Sequence, residues 1–286
     1  MPKQTLDSFD RRILETLQDD GRLSNVDLAD RIGLSPTPCL RRVKALEASG
    51  LIRGYNAVLD RGGVGLGLTV MVGVKVDGSG KPSFTIHPGS AWDRIAWTPE
   101  LESRIARANA IYFGTLAQRA GESRTTIQKA LSTANAHGIC RVLDVNLRRP
   151  CFDADLIRES ITRAKVLKLS DDELHEVATA CGIAMGGNPE LTLRALLDRH
   201  ELDLVAMTRG AEGALLVSSE ETIDQPGIPT VVCDTVGAGD SFTAALVVGL
   251  LRGDSLKTIA RVACETAAVV CAQPGAVPAP PTSSKH

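Results

Sequence analysis

Asp234-Thr235-Val236-Gly237-Ala238-Gly239-Asp240-Ser241-Phe242 runs without a break into the apolar stretch 243–251. Gly237 and Gly239 let the backbone turn tightly and approach a ligand closely, and the first amides of a following helix form a site for an anion. Asp240 adds a carboxylate where a hydroxyl undergoing phosphorylation could give up its proton. A bare Gly-x-Gly-Asp would equally well be a glycine turn with a capping aspartate. The weight therefore rests on the full nine-residue string.

Outward from this corner the chain alternates. Short apolar runs bounded by glycine or polar residues predict strands over 110–113, 141–145, 164–168, 203–207, 214–217 and 230–233. Helical segments are expected over 99–106, 124–137 (stopped by Gly138), 154–163, 171–179, 191–199, 241–251 and 256–271. This alternation predicts an α/β fold class, a mostly parallel sheet with helices on both faces and ligands at the carboxyl ends of the strands. Asp77-Gly78-Ser79-Gly80-Lys81-Pro82 marks a turn or hinge before it, and the Pro-, Ser- and Ala-rich stretch from Gln273 to His286 reads as a tail.

Ahead of the hinge the period is helical. Leu6, Phe9, Ile13, Leu14 and Leu17 predict a helix over 7–17, ended by Gly21. Ser24 and Asp27 start a second helix through Leu28, Ala29 and Ile32, and Gly33-Leu34-Ser35 turns into a third that opens at Pro36, with Leu40, Val43 and Leu46 expected inward. Helix, glycine turn, helix is the helix-turn-helix pattern. The alternation over 51–59 predicts the strands of a wing. The outward side of the third helix offers Thr37, Arg41, Arg42 and Lys44 as DNA contacts, with side chains near its start reading base edges and cations gripping phosphate. A solvated basic face on a three-helix bundle would carry the same residues.

The charge distribution agrees with a polyanion partner for this end. Residues 1–76 hold 11 Lys and Arg against 9 Asp and Glu, leaving 21 against 25 in the remainder, although the whole chain of 286 residues has a net charge of -2. Seven cysteines, at 39, 140, 151, 181, 233, 264 and 271, form no CxxC pair. They fit free thiols in a reducing cytoplasm better than a disulfide framework or a zinc site. The longest apolar stretch, at 244–251, contains Gly249 and is too short to span a bilayer, so no membrane role is expected.

Residues 6–60, including LSPTPCLRRVKALE and GLIRGY, resemble the DNA-binding domain of the leucine-responsive/AsnC family of transcription regulators. The resemblance implies DNA binding and transcription regulation. Of the effector domain that usually follows, only a first strand over 67–76 is recognised. From about Gly80 to Val277 the chain resembles the ribokinase/PfkB carbohydrate kinases, fructokinase-like branch, on the strength of the Asp234–Phe242 string. That resemblance implies ATP and Mg2+ as cofactors. Asp240 becomes the catalytic base, and the amides of Gly237, Ala238 and Gly239 hold the charge developing on the transferred phosphoryl group.

Other segments carry over with it. Thr208-Arg209-Gly210-Ala211-Glu212-Gly213 matches the nucleotide-contacting loop, implying nucleotide roles for Thr208, Gly210 and Gly213. Asp144-Val145-Asn146-Leu147-Arg148 matches the DxNxR segment, with Asn146 near the phosphates. Ala272-Gln273-Pro274-Gly275-Ala276 resembles the adenine-side loop through Gly275, and Tyr112-Phe113-Gly114-Thr115-Leu116 a strand end lining the cleft. In Ser170-Asp171-Asp172-Glu173 the family's NxxE motif has Ser170 for Asn. Glu173 is implied as a magnesium residue, though the same residues spell a capping box.

The strand, lid, Gly-Gly signature and sugar-holding Asp with which such a kinase begins are not recognised, and the helix-turn-helix stands in their place. The expected organisation is a winged helix-turn-helix over 1–62, a remnant strand and junction over 63–78, and an incomplete ribokinase-like three-layer α/β domain over 79–286. Its expected partners are DNA, nucleotide, a sugar and a second copy in a homodimer.

Overall fold

The computed structural model describes residues 6–52, 54–55 and 89–276, and the backbone of 74–76 and 82–84. It divides into two units, Met1–Val70 and Met71–His286. The expected wing strands over 51–59 lie mostly outside the described residues, and 51–52 and 54–55 form no strand. The remnant strand over 67–76 lies outside them except for its last three residues, as do Asp77 to Lys81 of the hinge and the tail beyond Ala276.

In the first unit α1 (Ser8–Asp19), α2 (Asn25–Ile32) and α3 (Pro36–Ala48) enclose Ile13, Leu28, Ala29, Ile32, Cys39 and Leu46. Each start has a local cause. Asp7 accepts from the amides of Phe9 and Asp10, Ser24 accepts from Asp27, and Pro36 occupies a first position where no amide is needed. Gly33 turns the chain in the left-handed region, with φ 71°. One expectation fails on α3. Leu40 is 42% exposed, and Cys39, one residue earlier, takes the inward place with Val43 and Leu46.

The second unit holds a short antiparallel pair, β1 (Val74–Val76) with β2 (Pro82–Phe84), and a six-stranded sheet. The sheet's order follows the chain: β3 (Ala110–Gly114), β4 (Cys140–Asp144), β5 (Val166–Ser170), β6 (Leu204–Thr208), β7 (Ala214–Ser218) and β8 (Thr222–Gln225). The first four strands are parallel, while β6–β7 and β7–β8 are antiparallel. Helices separate the parallel strands. Only residues 209–213 and 219–221 separate the last three, too few for a crossover.

The strand alternation sorts side chains between two cores. Leu143, Leu167, Val205 and Val217 face α5 (Gly121–Ala136), α6 (Ala154–Thr162), α7 (Asp171–Ala180) and α8 (Pro189–His200). Val142, Val166, Leu204 and Leu216 face α9 (Ala238–Arg252) and α10 (Leu256–Cys271). α4 (Pro99–Ile105) packs through Ile105 against Ala130, Ala134 and Ile139. The α9–α10 pair fits closely, because a Cβ on Gly249 would lie 2.7 Å from Ile259 Cγ1. No described helix is long and apolar enough to cross a membrane.

The strand expected over 230–233 is a correction. Val231 is 91% exposed and Cys233 is exposed, and the segment has no strand partner among the described residues. The actual edge strand, Thr222–Gln225, has too little apolar character to stand out. Its Asp224 faces Arg209 instead of entering a core.

Candidate functional site

α9 begins at Ala238, three residues earlier than expected, which places Asp240 in its first turn as an exposed side chain. Gly237 is the N-cap, with φ 83°, and a Cβ there would lie 2.7 Å from the Ala276 carbonyl oxygen. Both the turn and the close approach exclude a side chain. The corner is tied to the segment beyond α10. Asp234 Oδ1 accepts from Val236 N at 2.8 Å and Oδ2 from Gly275 N at 2.6 Å, while Cys233 N donates to Cys271 O at 2.8 Å. Asp234 is thus a positioning residue that the sequence showed only as part of a string.

The amides at this helix start are not equivalent. Ala238 N donates to Thr235 O at 3.3 Å, whereas the amides of Gly239 and Asp240 meet no acceptor among the described residues. Orphan first-turn amides carry the positive end of the helix dipole. Gly237 N likewise meets no acceptor among the described residues, so of the three amides implied for the anion site only that of Ala238 is engaged.

Beneath the corner lie the ends of the parallel strands. Gly114 is registered with Asp144, and Asp144 with Lys168. Asp144 and Lys168 are buried and paired at 3.1 Å, and Thr243 Oγ1 donates toward Asp144 Oδ2 at 3.3 Å. Lys168 Nζ also comes within 3.3 Å of where a Cβ on Gly239 would stand. Burial pushes the Asp144 carboxyl above its ordinary range. Lys168 pulls it down, and the charges of Glu173 and Asp240 add to the rise. Lys168 was legible only as one charge inside an otherwise apolar strand, a signal easily passed over.

Tyr112 is half-exposed. Burial, followed by the charges of Asp144 and Asp240, holds its phenol above the usual range. Asn146 takes the left-handed region, with φ 41°, directly after β4. Thr208 ends β6 and its hydroxyl reaches Leu169 O at 3.4 Å. Gly210 and Gly213 lie in the β6–β7 turn. A Cβ on Gly213 would fall 2.1 Å from Gln225 O, so this glycine permits one backbone to cross another.

Glu173 makes the hydrogen bonds of a cap. Its Oε1 accepts from Leu147 N at 2.6 Å and its Oε2 from Ser170 N and Oγ at 2.8 and 2.9 Å. Three of its about four lone-pair positions are thus filled by this cap. No cluster of three or more His, Cys, Asp or Glu side chains suited to a metal ion occurs among the described residues.

On α3, Thr37, Leu40, Arg41 and Lys44 are exposed at helical spacing. Arg42 is turned to α1, pairing with Asp7 at 2.8 Å and Asp10 at 2.7 Å, and its guanidinium lies 5.5 Å from the Phe9 ring centroid. The structure therefore brings Thr37, Arg41 and Lys44 together and gives Arg42 to the bundle.

The model of the pfkB family of carbohydrate kinases matches residues 69–283. The chain belongs to the pfkB family. That match begins inside the segment read as a remnant regulator strand. Residues 6–53 match the winged helix-turn-helix DNA-binding family, so this pfkB chain carries a regulator-like head. It is 44% identical to a leucine-responsive regulatory protein of Rhizobium meliloti (strain 1021) over 102 residues, covering 34% of the chain and 65% of that protein. Identity to the leucine-responsive regulatory protein of Escherichia coli (strain K12) is 59% over 59 residues, covering 21% of the chain and 36% of that protein.

Among solved structures, an uncharacterized sugar kinase from Pyrococcus horikoshii in complex with ATP is similar, with TM-score 0.58 and 27% identity, covering 72% of this chain and 65% of that one. A probable sugar kinase from Rhizobium etli CFN 42 shares the fold, with TM-score 0.61 and 21% identity, covering 72% and 61%. The chain thus spans less than two thirds of the length of these relatives.

Proposed function

We propose that the pfkB unit catalyses ATP-dependent phosphoryl transfer to a sugar hydroxyl, and that the winged helix-turn-helix unit binds DNA. The observation that carries the kinase reading is the first turn of α9, where Asp240 stands beside two amides without acceptors, over the carboxyl ends of parallel strands. In this reading Asp240 accepts the proton of the attacking hydroxyl, and the amides of Gly239 and Asp240 stabilise charge on the phosphoryl oxygens. Gly237 supplies the turn that aims them. Asn146, Thr208, the 210–213 turn and Gly275 border the nucleotide, whose phosphates fit the amide pair. ATP supplies the phosphoryl group. Tyr112, on β3, is assigned to the acceptor side.

Phosphoryl transfer depends mainly on positioning and electrostatics. The test is ATP-dependent phosphorylation across a hexose panel, with Asp240→Asn as the diagnostic variant. Positioned proton transfer contributes about 10²–10⁴-fold, so the variant loses activity on that order. An unchanged rate removes Asp240 from the reaction, and no heat on titration with Mg-ATP removes the nucleotide.

A second reading rests on the exposed Thr37, Arg41 and Lys44 row. The chain is then a transcription regulator whose kinase unit binds nucleotide or sugar phosphate without turnover. Operator affinity that does not change with either ligand would overturn it.

A further inference from the structure

We propose that Cys233 and Cys271 form a thiol-oxidation site that closes to a disulfide across the base of the glycine corner. Cys233 is exposed and Cys271 is half-buried, and Cys233 N donates to Cys271 O at 2.8 Å. Adding the N–Cα bond and the Cα-to-oxygen span of a peptide limits the separation of their Cα atoms to about 6.7 Å. A disulfide accepts Cα separations of about 4.4–6.8 Å, so the backbones already stand within bridging range.

The other thiols are placed differently. Cys39, Cys181 and Cys264 are buried, while Cys140 opens β4 and Cys151 lies in the loop before α6. Among the seven cysteines, all within the described residues, Cys233 alone is exposed. Burial and the nearby charge of Asp234 push the Cys271 thiol up, which keeps its thiolate scarce and makes the second step the slower one.

The oxidant is a low-molecular-weight disulfide of the glutathione class. The Cys233 thiolate attacks one of its sulfurs and expels a small thiolate, leaving a mixed disulfide. The Cys271 thiolate then attacks Cys233 Sγ and expels the second small thiolate. Two protein thiols are oxidised to one disulfide, and the reagent is reduced by two electrons to two small thiols after protonation. The new bond would join the exposed entry of the corner to the end of α10. It would reinforce the ties that Asp234 already makes to Val236 and Gly275.

The experiment treats the full chain with oxidised glutathione, blocks the remaining thiols, and maps the peptides by mass spectrometry. The expected product is a Cys233–Cys271 linkage within one chain, reversed by dithiothreitol and lost in Cys233→Ser. Amide exchange over 234–240 should slow in the oxidised chain, a change that a solvent-facing mixed disulfide would not produce. Glutathione remaining on Cys233, a link between chains, or two unmodified thiols would each overturn the proposal. Cys233 is exposed, so its serine variant does not disturb a core, and the linkage is scored without nucleotide. Its failure is therefore separate from failure of the kinase reading.

Discussion

Replacing Lys168 by methionine isolates the buried charge beneath the glycine corner. The substitution keeps a long apolar stem but leaves the Asp144 carboxylate, 1% exposed, with Thr243 as its remaining side-chain partner. Removing one member of a buried pair costs about 3–5 kcal/mol, because the other charge stays desolvated and uncompensated. That is a large share of the about 5–15 kcal/mol that holds a domain folded. The cost should depend on pH. Asp144 is already raised by burial, and the loss of Lys168 removes the influence that lowers it, so its folded pKa rises further above the unfolded value.

A carboxyl raised in the folded state contributes stability that is present below its unfolded pKa of about 3.9 and lost as pH rises through the folded pKa. The penalty of Lys168→Met is therefore small in acid and full at neutral pH. Urea unfolding followed by tryptophan fluorescence reads this unit directly, because both tryptophans, Trp92 and Trp97, lie in it. Combining Asp144→Leu with Lys168→Met should recover much of the loss, since Thr243 keeps its bond to Gly239 O at 2.9 Å. A loss below about 1 kcal/mol at neutral pH, with the transition still cooperative, would refute the argument, since it would match an exposed pair.

On α3 the two adjacent arginines should separate. Arg41→Ala is expected to weaken DNA binding and reduce the salt dependence by about one counterion, measured by titration at several salt concentrations, while Arg42→Ala should lower the melting temperature of the first unit by freeing Asp7 and Asp10. Gly237→Ala should cost at least about 1–2 kcal/mol from the left-handed backbone alone and weaken Mg-ATP binding by calorimetry, because Ala276 must move; unaltered binding and stability would show that the corner tolerates a side chain.

The alternating layers were legible because periodicity records which face of each element is apolar. Five of the six strands of the sheet fall on runs such as Leu204–Thr208, whose successive side chains serve opposite cores. The reversal of β7 was also legible in principle, since Arg209 to Gly213 is too short for a crossover. The last strand was not. Thr222–Gln225 is held by pairing with β7, whereas the more apolar Val231 and Val232 are exposed. Backbone pairing decided there, and it leaves little trace in composition.

The site divides in the same way. The nine residues from Asp234 to Phe242 by themselves determined a glycine corner, a helix start and a carboxylate beside it, because these depend on local backbone freedom and residue order. Likewise, the head's three helices follow from their caps and spacing. Only the tertiary structure decided that Arg42 belongs to α1, that Glu173 accepts from Leu147, and that Lys168 meets Asp144 under the corner. Each depends on a partner brought from another segment, and a hydrogen bond or buried charge is fixed by where that partner stands in space.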